Sequence, residues 1–186
     1  MKPIALILTL AAALPFSAHA VTYQQIQADQ SAITFAYQQM GVAMDGKFSR
    51  FTAQLNFDPA NPAAAKTTID VDLASIDTGS AEGDEEVAGK TWFNTAAFPT
   101  ARFMASSVKA LGEHRYEVTG PLTIKGKTQD IVVPATFTAQ GQTGVFAGGF
   151  TLRRADFAIG EGSWAAFDVV ANEVQIQFRI TANAGE

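Results

Sequence analysis

The chain has 186 residues, a formal net charge of −5 and no cysteine. The lack of cysteine excludes disulfides, thiolate metal sites and cysteine nucleophiles. The acidic balance, which no basic run interrupts, argues against nucleic acid and anionic membrane surfaces as partners and is compatible with a neutral or cationic small molecule.

The first residues of the chain have the features of an export signal. Lys2 gives a positively charged start, an unbroken apolar and small-residue run covers 4–14, and Ala18-His19-Ala20 fits the small-x-small cleavage rule. We predict a signal peptide over 1–20, cleaved after Ala20, and one mature domain over 21–186 in the periplasm. An uncleaved membrane anchor is the alternative.

Apolar and polar residues alternate through most of the mature chain, which is typical of half-buried strands. Ile69, Val71 and Leu73, for example, alternate with threonine and aspartate. Turn sequences such as Lys125-Gly126-Lys127 separate the runs, and no βαβ rhythm is present. The pattern predicts about eight antiparallel strands that form either a closed barrel or a sandwich.

One segment breaks this alternation between two predicted strands. Ser80 is suited to cap a helix, and acidic residues follow in what would be the first turn, where the helix dipole favours them. We predict a short helical insertion around residues 81–93. Its aromatic end, Trp92-Phe93, is expected to pack onto the barrel and to cover an apolar interior.

The acidic residues near this segment do not have the spacing of a calcium-binding loop. They are Asp77, Glu82, Asp84, Glu85 and Glu86. A solvated helix start accounts for most of them, and we predict no metal site.

No reaction centre stands out in the sequence. His114 is the only histidine of the predicted mature chain and lies in a predicted turn. Ser106 or Ser107 upstream lacks the G-x-S-x-G elbow of a nucleophile. We therefore predict no catalytic residue.

The apolar residues fit either a filled core or the lining of a ligand pocket. The chain has 14 phenylalanines, 2 tryptophans and 4 methionines. Met40 and Met44 lie near glycines, and flexible methionines suit ligands of variable shape. A barrel of about eight strands can hold one ligand, so composition leaves both interpretations open.

Arg154 is expected near the interior. If Phe150 and Leu152 face inward, the parity of the strand turns Arg154 inward as well, where an unpaired charge is costly. We predict a position at the rim, with a salt bridge to Asp156 or another acid, or contact with a polar ligand head.

Taken in order, five segments resemble the YceI family of exported bacterial proteins, also called polyisoprenoid-binding-like domains. The segments are SAITFAYQQMG, GKFSRFTAQLNFDPANPAAAKTTIDVDLASIDTG, WFNTAAFPTARFMASSVKA, YEVTGPLTIKGKTQDIVVPATF and RRADFAIG. The resemblance spans nearly the whole mature chain. It implies an all-β fold, a single antiparallel up-and-down β-barrel that is lipocalin-like, around a long apolar tunnel that holds an isoprenoid chain.

The resemblance also implies which residues face the tunnel. Together with the strand pattern, it predicts that the lining consists of Phe35, Tyr37, Met40, Met44, Phe48, Trp92, Phe93, Phe98, Phe103, Leu122, Ile124, Phe137, Phe150, Leu152 and Trp164. Gln38, Gln39 and Arg154 are predicted to contact the ligand head or to lie at the rim.

The expected function is that of a periplasmic binding or carrier protein, not an enzyme. Its ligand would be a polyisoprenoid, an isoprenoid quinone or another long-chain amphiphile, with no other cofactor required. A transient membrane redox partner and a homodimer stay open. The alternatives are an enzyme that acts on a lipid-like or amide substrate in the same pocket, with His114 or a carboxylate as base, and a ligand-free envelope stress or scaffold protein.

Overall fold

The computed structural model describes residues 21–185, and the predicted signal peptide therefore lies outside the described residues. The described chain forms twelve strands and one α-helix, α1 (Ala81–Ala88). The strands are β1 (Tyr23–Ile26), β2 (Ala32–Gln39), β3 (Val42–Phe48), β4 (Phe51–Asn56), β5 (Lys66–Asp72), β6 (Ile76–Asp77), β7 (Thr100–Met104), β8 (Ser107–Gly112), β9 (Arg115–Ile124), β10 (Lys127–Gln140), β11 (Thr143–Arg153) and β12 (Glu173–Ala184).

These strands form one curled antiparallel sheet, which confirms the predicted all-β barrel. The order is β4-β5-β7-β9-β10-β11-β12-β2-β3-β6, with β1 paired to β12 and β8 paired to β9. Most neighbours in the sheet are also neighbours in sequence, as in an up-and-down topology. The strand number exceeds the predicted eight because short pieces such as β6 count separately and because β7 and β8 share the long partner β9.

The wall of the barrel is closed differently at its two ends. At one end Tyr23 and Phe57 exchange backbone hydrogen bonds of 2.8 and 3.1 Å, which tie β1 to the residue after β4. At the other end the chain turns a corner between β3 and β4, where the backbone N–H of Ser49 donates to the Ser75 carbonyl at 3.0 Å. β6 pairs with β3 only at Lys47 and Phe48. The edge of β3 before Lys47 is therefore not covered by a described strand.

Two prolines lie at interruptions of the hydrogen-bond ladders. β9 pairs with β8 up to Thr119 and with β7 from Leu122, which leaves Pro121 between the two partners. β10 pairs with β11 only from Ala135 onward, directly after Pro134. Because proline has no N–H to donate, a ladder ends or changes partner where it lies.

α1 begins where the sequence predicts. The hydroxyl of Ser80 accepts a hydrogen bond from the backbone N–H of Gly83 at 3.0 Å. The helix ends at Ala88, earlier than the predicted insertion, because Gly89 follows and the chain continues through turns to Trp92. No helix within 21–185 has the length and hydropathy needed to cross a membrane.

The interior contains two apolar clusters. The cluster at the Tyr23 end includes five aromatic side chains, which we call the aromatic plug, with neighbouring ring centroids 4.9 to 5.4 Å apart. The plug consists of Tyr23, Phe57, Tyr116, Phe137 and Phe146. The second cluster includes Leu73, Leu122 and Leu152 and lies toward the α1 end. This division positions the site described next.

Candidate functional site

A cavity of about 840 Å³ lies inside the barrel, away from the aromatic plug. Its walls are the inward faces of the strands, since alternate residues of a strand point to the same side. None of the plug residues lines it. The apolar wall consists of Ile33, Phe35, Tyr37, Met44, Phe48, Ile69, Val71, Leu73, Ile76, Val87, Trp92, Phe93, Ala101, Phe103, Leu122, Ile124, Ile131, Phe150, Leu152, Ile159, Trp164, Val170, Val174, Ile176 and Phe178.

Most of the residues predicted to line a tunnel lie on this wall. They are Phe35, Tyr37, Met44, Phe48, Trp92, Phe93, Phe103, Leu122, Ile124, Phe150, Leu152 and Trp164. Their contact with a ligand stays a prediction. Their convergence on one cavity is a property of the fold.

Three predicted lining residues lie elsewhere. Met40 occupies the turn between β2 and β3 with a φ of 51° and is 75% exposed, because the alternation of the strand ends before it. Phe98 lies in the loop before β7 and is partly exposed. Phe137 points inward as predicted, but it belongs to the aromatic plug and is 2% exposed. These residues are removed from the predicted lining.

Several aliphatic residues of the wall were not among the predicted lining residues. Ile69, Val71, Val174 and Ile176 line the cavity in the structure. Their alternation with polar residues marks them as inward-facing, but the same alternation would occur in a barrel filled by its own side chains. A lining residue differs from a core residue only in facing open space, and the sequence of its own strand does not show that space.

A glycine on β3 makes room for the aromatic part of the wall. Gly46 pairs with Phe35 across β2 and β3, and a side chain at position 46 would overlap the Phe35 ring. The ring of Phe35 lies 6.0 Å from that of Tyr37 and 5.5 Å from that of Phe48, measured between centroids. The three rings thus form one continuous aromatic surface on this side of the cavity.

The polar residues of the lining are concentrated around α1. One face of the helix, which carries Glu82, Gly83, Glu86 and Val87, borders the cavity. Glu82 and Glu86 also are exposed to solvent. Because these residues contact both the cavity and the solvent, we identify this end as the mouth of the cavity.

The start of α1 is fixed by its own side chains. A carboxylate oxygen of Asp84 accepts hydrogen bonds from both the backbone N–H and the hydroxyl of Thr78, each at 2.7 Å. The Ser80 cap satisfies one of the donors that a helix start otherwise leaves free, and Asp84 ties the residues before the cap to the first turn of α1.

The two tryptophans of the chain meet beside the mouth. The ring centroids of Trp92 and Trp164 lie 5.6 Å apart, and the Trp164 indole N–H donates to a carboxylate oxygen of Glu86 at 2.7 Å. Phe93 contacts Phe48 at a centroid distance of 6.3 Å. The segment after α1 therefore covers an apolar interior, as its sequence predicts.

Arg154 is buried and is held by backbone carbonyls, not by an acid at the rim. It is 2% exposed, and the structure records no ion pair for it within 21–185. Its five N–H groups donate at 2.7 to 3.1 Å to the carbonyls of Ile159, Gly160, Trp164, Val170 and Ala171. The predicted rim position and salt bridge to Asp156 are wrong, because the loop after β11 folds around the guanidinium and satisfies it.

Desolvation of this arginine lowers the pKa of its guanidinium from the ordinary value. Gly160, with a φ of 75°, lies against the guanidinium, and any side chain there would overlap it. Arg154 thus touches the cavity, while its hydrogen-bonding capacity is used within the protein.

The two predicted glutamines at the mouth point in opposite directions. Gln39 lines the cavity, whereas Gln38 is exposed on the other face of β2. Strand parity therefore places Gln38 outside the cavity lining, and its contact with a ligand head stays a prediction. Nearby, burial and then the charge of Asp45 raise the pKa of the Tyr37 hydroxyl above its ordinary value.

His114 and Asp77, which were considered for other chemistry, do not line the cavity. His114 occupies the turn between β8 and β9 with a φ of 59° and is exposed. Asp77 forms an exposed ion pair with Lys47 at 3.5 Å. Among the side chains described, no group of three or more histidines, aspartates and glutamates is arranged to hold a metal ion.

Comparisons with known proteins agree on one family. A YceI-like domain matches residues 24–182. A UPF0312 protein of Vibrio cholerae is 31% identical over 173 residues, which is 87% of this chain and 92% of that protein.

Solved structures share the fold. BcnA of Burkholderia cenocepacia superposes with a TM-score of 0.83 at 38% identity, over 86% of this chain and 100% of BcnA. A polyisoprenoid-binding domain from Saccharophagus degradans gives a TM-score of 0.69 at 17% identity, over 89% and 99% of the two chains. At that identity, the second likeness concerns the fold alone.

Proposed function

The chain belongs to the YceI-like domain family, and from this premise we propose that it is a periplasmic binding and carrier protein for a long-chain amphiphile. The ligand class is a polyisoprenoid, an isoprenoid quinone or a molecule of similar shape. Its tail lies in the barrel cavity and its head lies at the mouth beside α1. The proposal assigns no reaction to the protein and no cofactor beyond the ligand.

The observation that carries this proposal is the apolar cavity. Protein interiors are normally packed as densely as organic crystals, whereas this barrel leaves about 840 Å³ between its walls. That volume falls within the range of about 300–1,000 Å³ of small-molecule sites. Burial of an apolar tail contributes about 25 cal/mol per Å² before the costs of binding. An apolar chain is the ligand that these walls favour.

The geometry favours this function over the two alternatives. A ligand-free scaffold would have an interior filled by side chains, as it is in the aromatic plug. An enzyme with His114 as base would need that residue near the pocket, and His114 lies in an exposed turn outside the lining. A ligand-free scaffold would not use the cavity, and an enzyme that relies on His114 would have no base beside it.

The experiment that tests the binding proposal is native mass spectrometry of the mature protein from its own periplasm, with solvent extraction of the same sample. A bound mass that extracts as an isoprenoid or another long-chain amphiphile is the expected result. A protein without a bound mass that also does not bind added polyprenyl quinones contradicts the proposal.

A matched pair of variants links the bound mass to the cavity. Ile176 faces the cavity on β12, and its neighbour Gln177 is exposed on the outer face of the same strand. Ile176→Trp fills the cavity and is expected to lose most of the bound lipid, while Gln177→Trp retains it. Circular dichroism establishes that both variants are folded. Equal lipid content in the two folded variants would place the ligand outside the barrel.

The periplasmic location and the carrier role rest on the sequence of the first residues and on the family. Fractionation should recover the protein in the periplasm, with an amino terminus at Val21. Delivery of a quinone to a membrane redox partner is the role we favour for a carrier with this ligand class. Unchanged quinone distribution and quinone-dependent respiration after deletion of the gene would remove that role.

A further inference from the structure

The cavity has no free positive charge among its described lining residues. Arg154 is the only cation in the lining. A guanidinium has five N–H donors, and in Arg154 all five are used by backbone carbonyls of the surrounding loop. A phosphate or carboxylate that entered the cavity would therefore find no donor on this arginine unless the loop unfolded around it.

The helix at the mouth does not replace the missing cation. A helix start attracts anions through its free N–H groups and its dipole. In α1 the Gly83 N–H donates to Ser80, and Asp84 accepts from Thr78 next to the same helix start. The Ser80 cap uses one N–H of the helix start, and the carboxylates of Glu82 and Asp84 in the first turn would repel an external anion there.

The charged groups that do face the mouth are carboxylates. Glu82 and Glu86 are four residues apart and lie on the helix face that borders the cavity. Asp45, exposed on β3, also borders the cavity and is close enough to Tyr37 for its charge to add to burial in raising the pKa of that hydroxyl. An anionic head at the mouth would be repelled by all three groups.

The remaining polar groups at this end are uncharged. Tyr37 and Gln39 line the cavity and can both donate and accept hydrogen bonds. The indole N–H of Trp92 is also uncharged, and it is buried without a hydrogen-bond partner among the described residues. A neutral ligand head can form hydrogen bonds with Tyr37 and Gln39 at the mouth. A cationic head can in addition be attracted by the carboxylates there.

From this distribution we infer that the site selects amphiphiles with an uncharged or cationic head and discriminates against phosphate and carboxylate heads. Glu82 and Glu86 set that selectivity. The inference rests on the proposed function, because it assumes that a tail occupies the cavity. It separates long-chain alcohols, amines and quinones from polyprenyl phosphates and fatty acids, although all of them have tails that fit the same apolar wall.

The test uses four ligands that differ only in the head: geranylgeraniol, geranylgeranylamine, geranylgeranyl phosphate and geranylgeranoic acid. The chain has two tryptophans, and both line the cavity, so intrinsic fluorescence reports its occupation. With delipidated mature protein at neutral pH and low salt, we expect the alcohol and the amine to bind at least about tenfold more tightly than the phosphate and the acid. Added salt should reduce the ratio by screening.

Variants of α1 assign the selectivity to its carboxylates. Glu82→Gln is expected to reduce the discrimination against the phosphate, and Glu82→Gln/Glu86→Gln to reduce it further, because glutamine keeps the shape and removes the charge. The control is Glu85→Gln, which removes the same charge from an exposed position of the same helix outside the lining. It should leave the ratio unchanged.

The outcomes distinguish this inference from the proposed function. Equal affinity for all four ligands, or tighter binding of the phosphate, overturns the inference and leaves a lipid-binding cavity. Selectivity that persists in the double variant, or that Glu85→Gln changes equally, overturns the role of Glu82 and Glu86. Binding of none of the four ligands contradicts the proposed function itself.

Discussion

At the scale of single residues, Arg154 connects the wall of the cavity to the loop that follows β11. The five carbonyls that it binds belong to residues 159–171. Its charge stays inside because each N–H has an acceptor, which offsets part of the desolvation cost. We therefore regard Arg154 as a structural residue of the site and not as a group that binds the ligand head.

Replacement of Arg154 should destabilise the fold strongly. Arg154→Ala leaves several buried carbonyls without a donor, and we expect a loss of at least about 3 kcal/mol in the free energy of unfolding. Urea denaturation of the delipidated protein measures it. Arg153→Ala is the control, since Arg153 is the exposed residue directly before Arg154, at the end of β11. This substitution should change the free energy of unfolding little. If both variants lost the same free energy of unfolding, the hydrogen bonds from Arg154 to the five carbonyls would not be the cause of the loss.

Tyr37 should make stability depend on alkaline pH. Burial and the charge of Asp45 raise the pKa of its hydroxyl above the ordinary value of 10.0. The folded protein therefore keeps this proton at a pH where the unfolded chain has lost it. The corresponding stability is present below pH 10.0 and is lost as the pH rises through the higher folded pKa. Tyr37→Phe removes this contribution.

Urea denaturation at several values from about pH 9 to about pH 12 tests this sign. The wild-type free energy of unfolding should fall with pH more steeply than that of Tyr37→Phe. Tyr116, whose pKa is also raised by burial, accounts for part of the remaining slope. Identical slopes for the wild type and Tyr37→Phe would show that Tyr37 has the same pKa in both states.

At the scale of elements, α1 is the part of the cavity wall with the least support from the sheet. It has 8 residues and none of them is fully buried. Such a short helix is marginal by itself, and it depends on the Ser80 cap, the contacts of Asp84 and the bond from Trp164 to Glu86. The element at the mouth is therefore expected to open locally more often than the strands.

Weakening the start of α1 should increase this opening. Asp84→Ala removes the acceptor of two Thr78 hydrogen bonds and should cost the helix start about 1 kcal/mol. Hydrogen exchange followed by mass spectrometry should become faster over residues 78–93, while the slow amides of the sheet keep their rates. Glu85→Ala, on the exposed face of α1, is the control. An increase spread over the whole chain would indicate global destabilisation instead.

At the scale of the whole molecule, the barrel has a filled end and a hollow end. In the aromatic plug the rings pack against one another and fill the interior. The side chains of the cavity wall pack against their neighbours in the wall and leave open space in front of them. Stability and ligand capacity should therefore depend on different residues of the same sheet.

Two phenylalanines test this division. Phe137→Ala removes a plug residue that is 2% exposed and should cost about 3–5 kcal/mol. Phe103→Ala removes a ring that already faces the cavity and should cost less than half as much, because few contacts are lost. Chemical denaturation of delipidated protein gives both values. Equal costs would mean that the hollow end is packed as tightly as the plug in solution.

The amounts of bound lipid should show the opposite order. Phe137→Ala, where it remains folded, should retain the lipid of the wild type. Phe103→Ala changes the shape of the cavity and should alter the amount or the chain length of the lipid that copurifies. Retention of identical lipids by both variants would contradict the assignment of the two ends.

The class of the fold and much of its inward face can be predicted from the sequence. The alternation of apolar and polar residues is a local property of each strand, and it correctly predicted that Phe35, Phe103 and Phe150 point inward. The cap at Ser80 and the aromatic cover at Trp92 were equally readable, because helix starts depend on a few neighbouring residues.

Which inward residues line a cavity and which fill a core depends on contacts between distant segments of the chain. Phe137 and Phe150 have the same strand parity, but Tyr23 and Phe57 come from distant segments to pack against Phe137. The partners of Arg154 likewise belong to a loop whose path the strand pattern does not define. The alternation of apolar and polar residues determines whether a side chain points inward. Whether an inward side chain is then packed depends on which distant residues of the chain contact it.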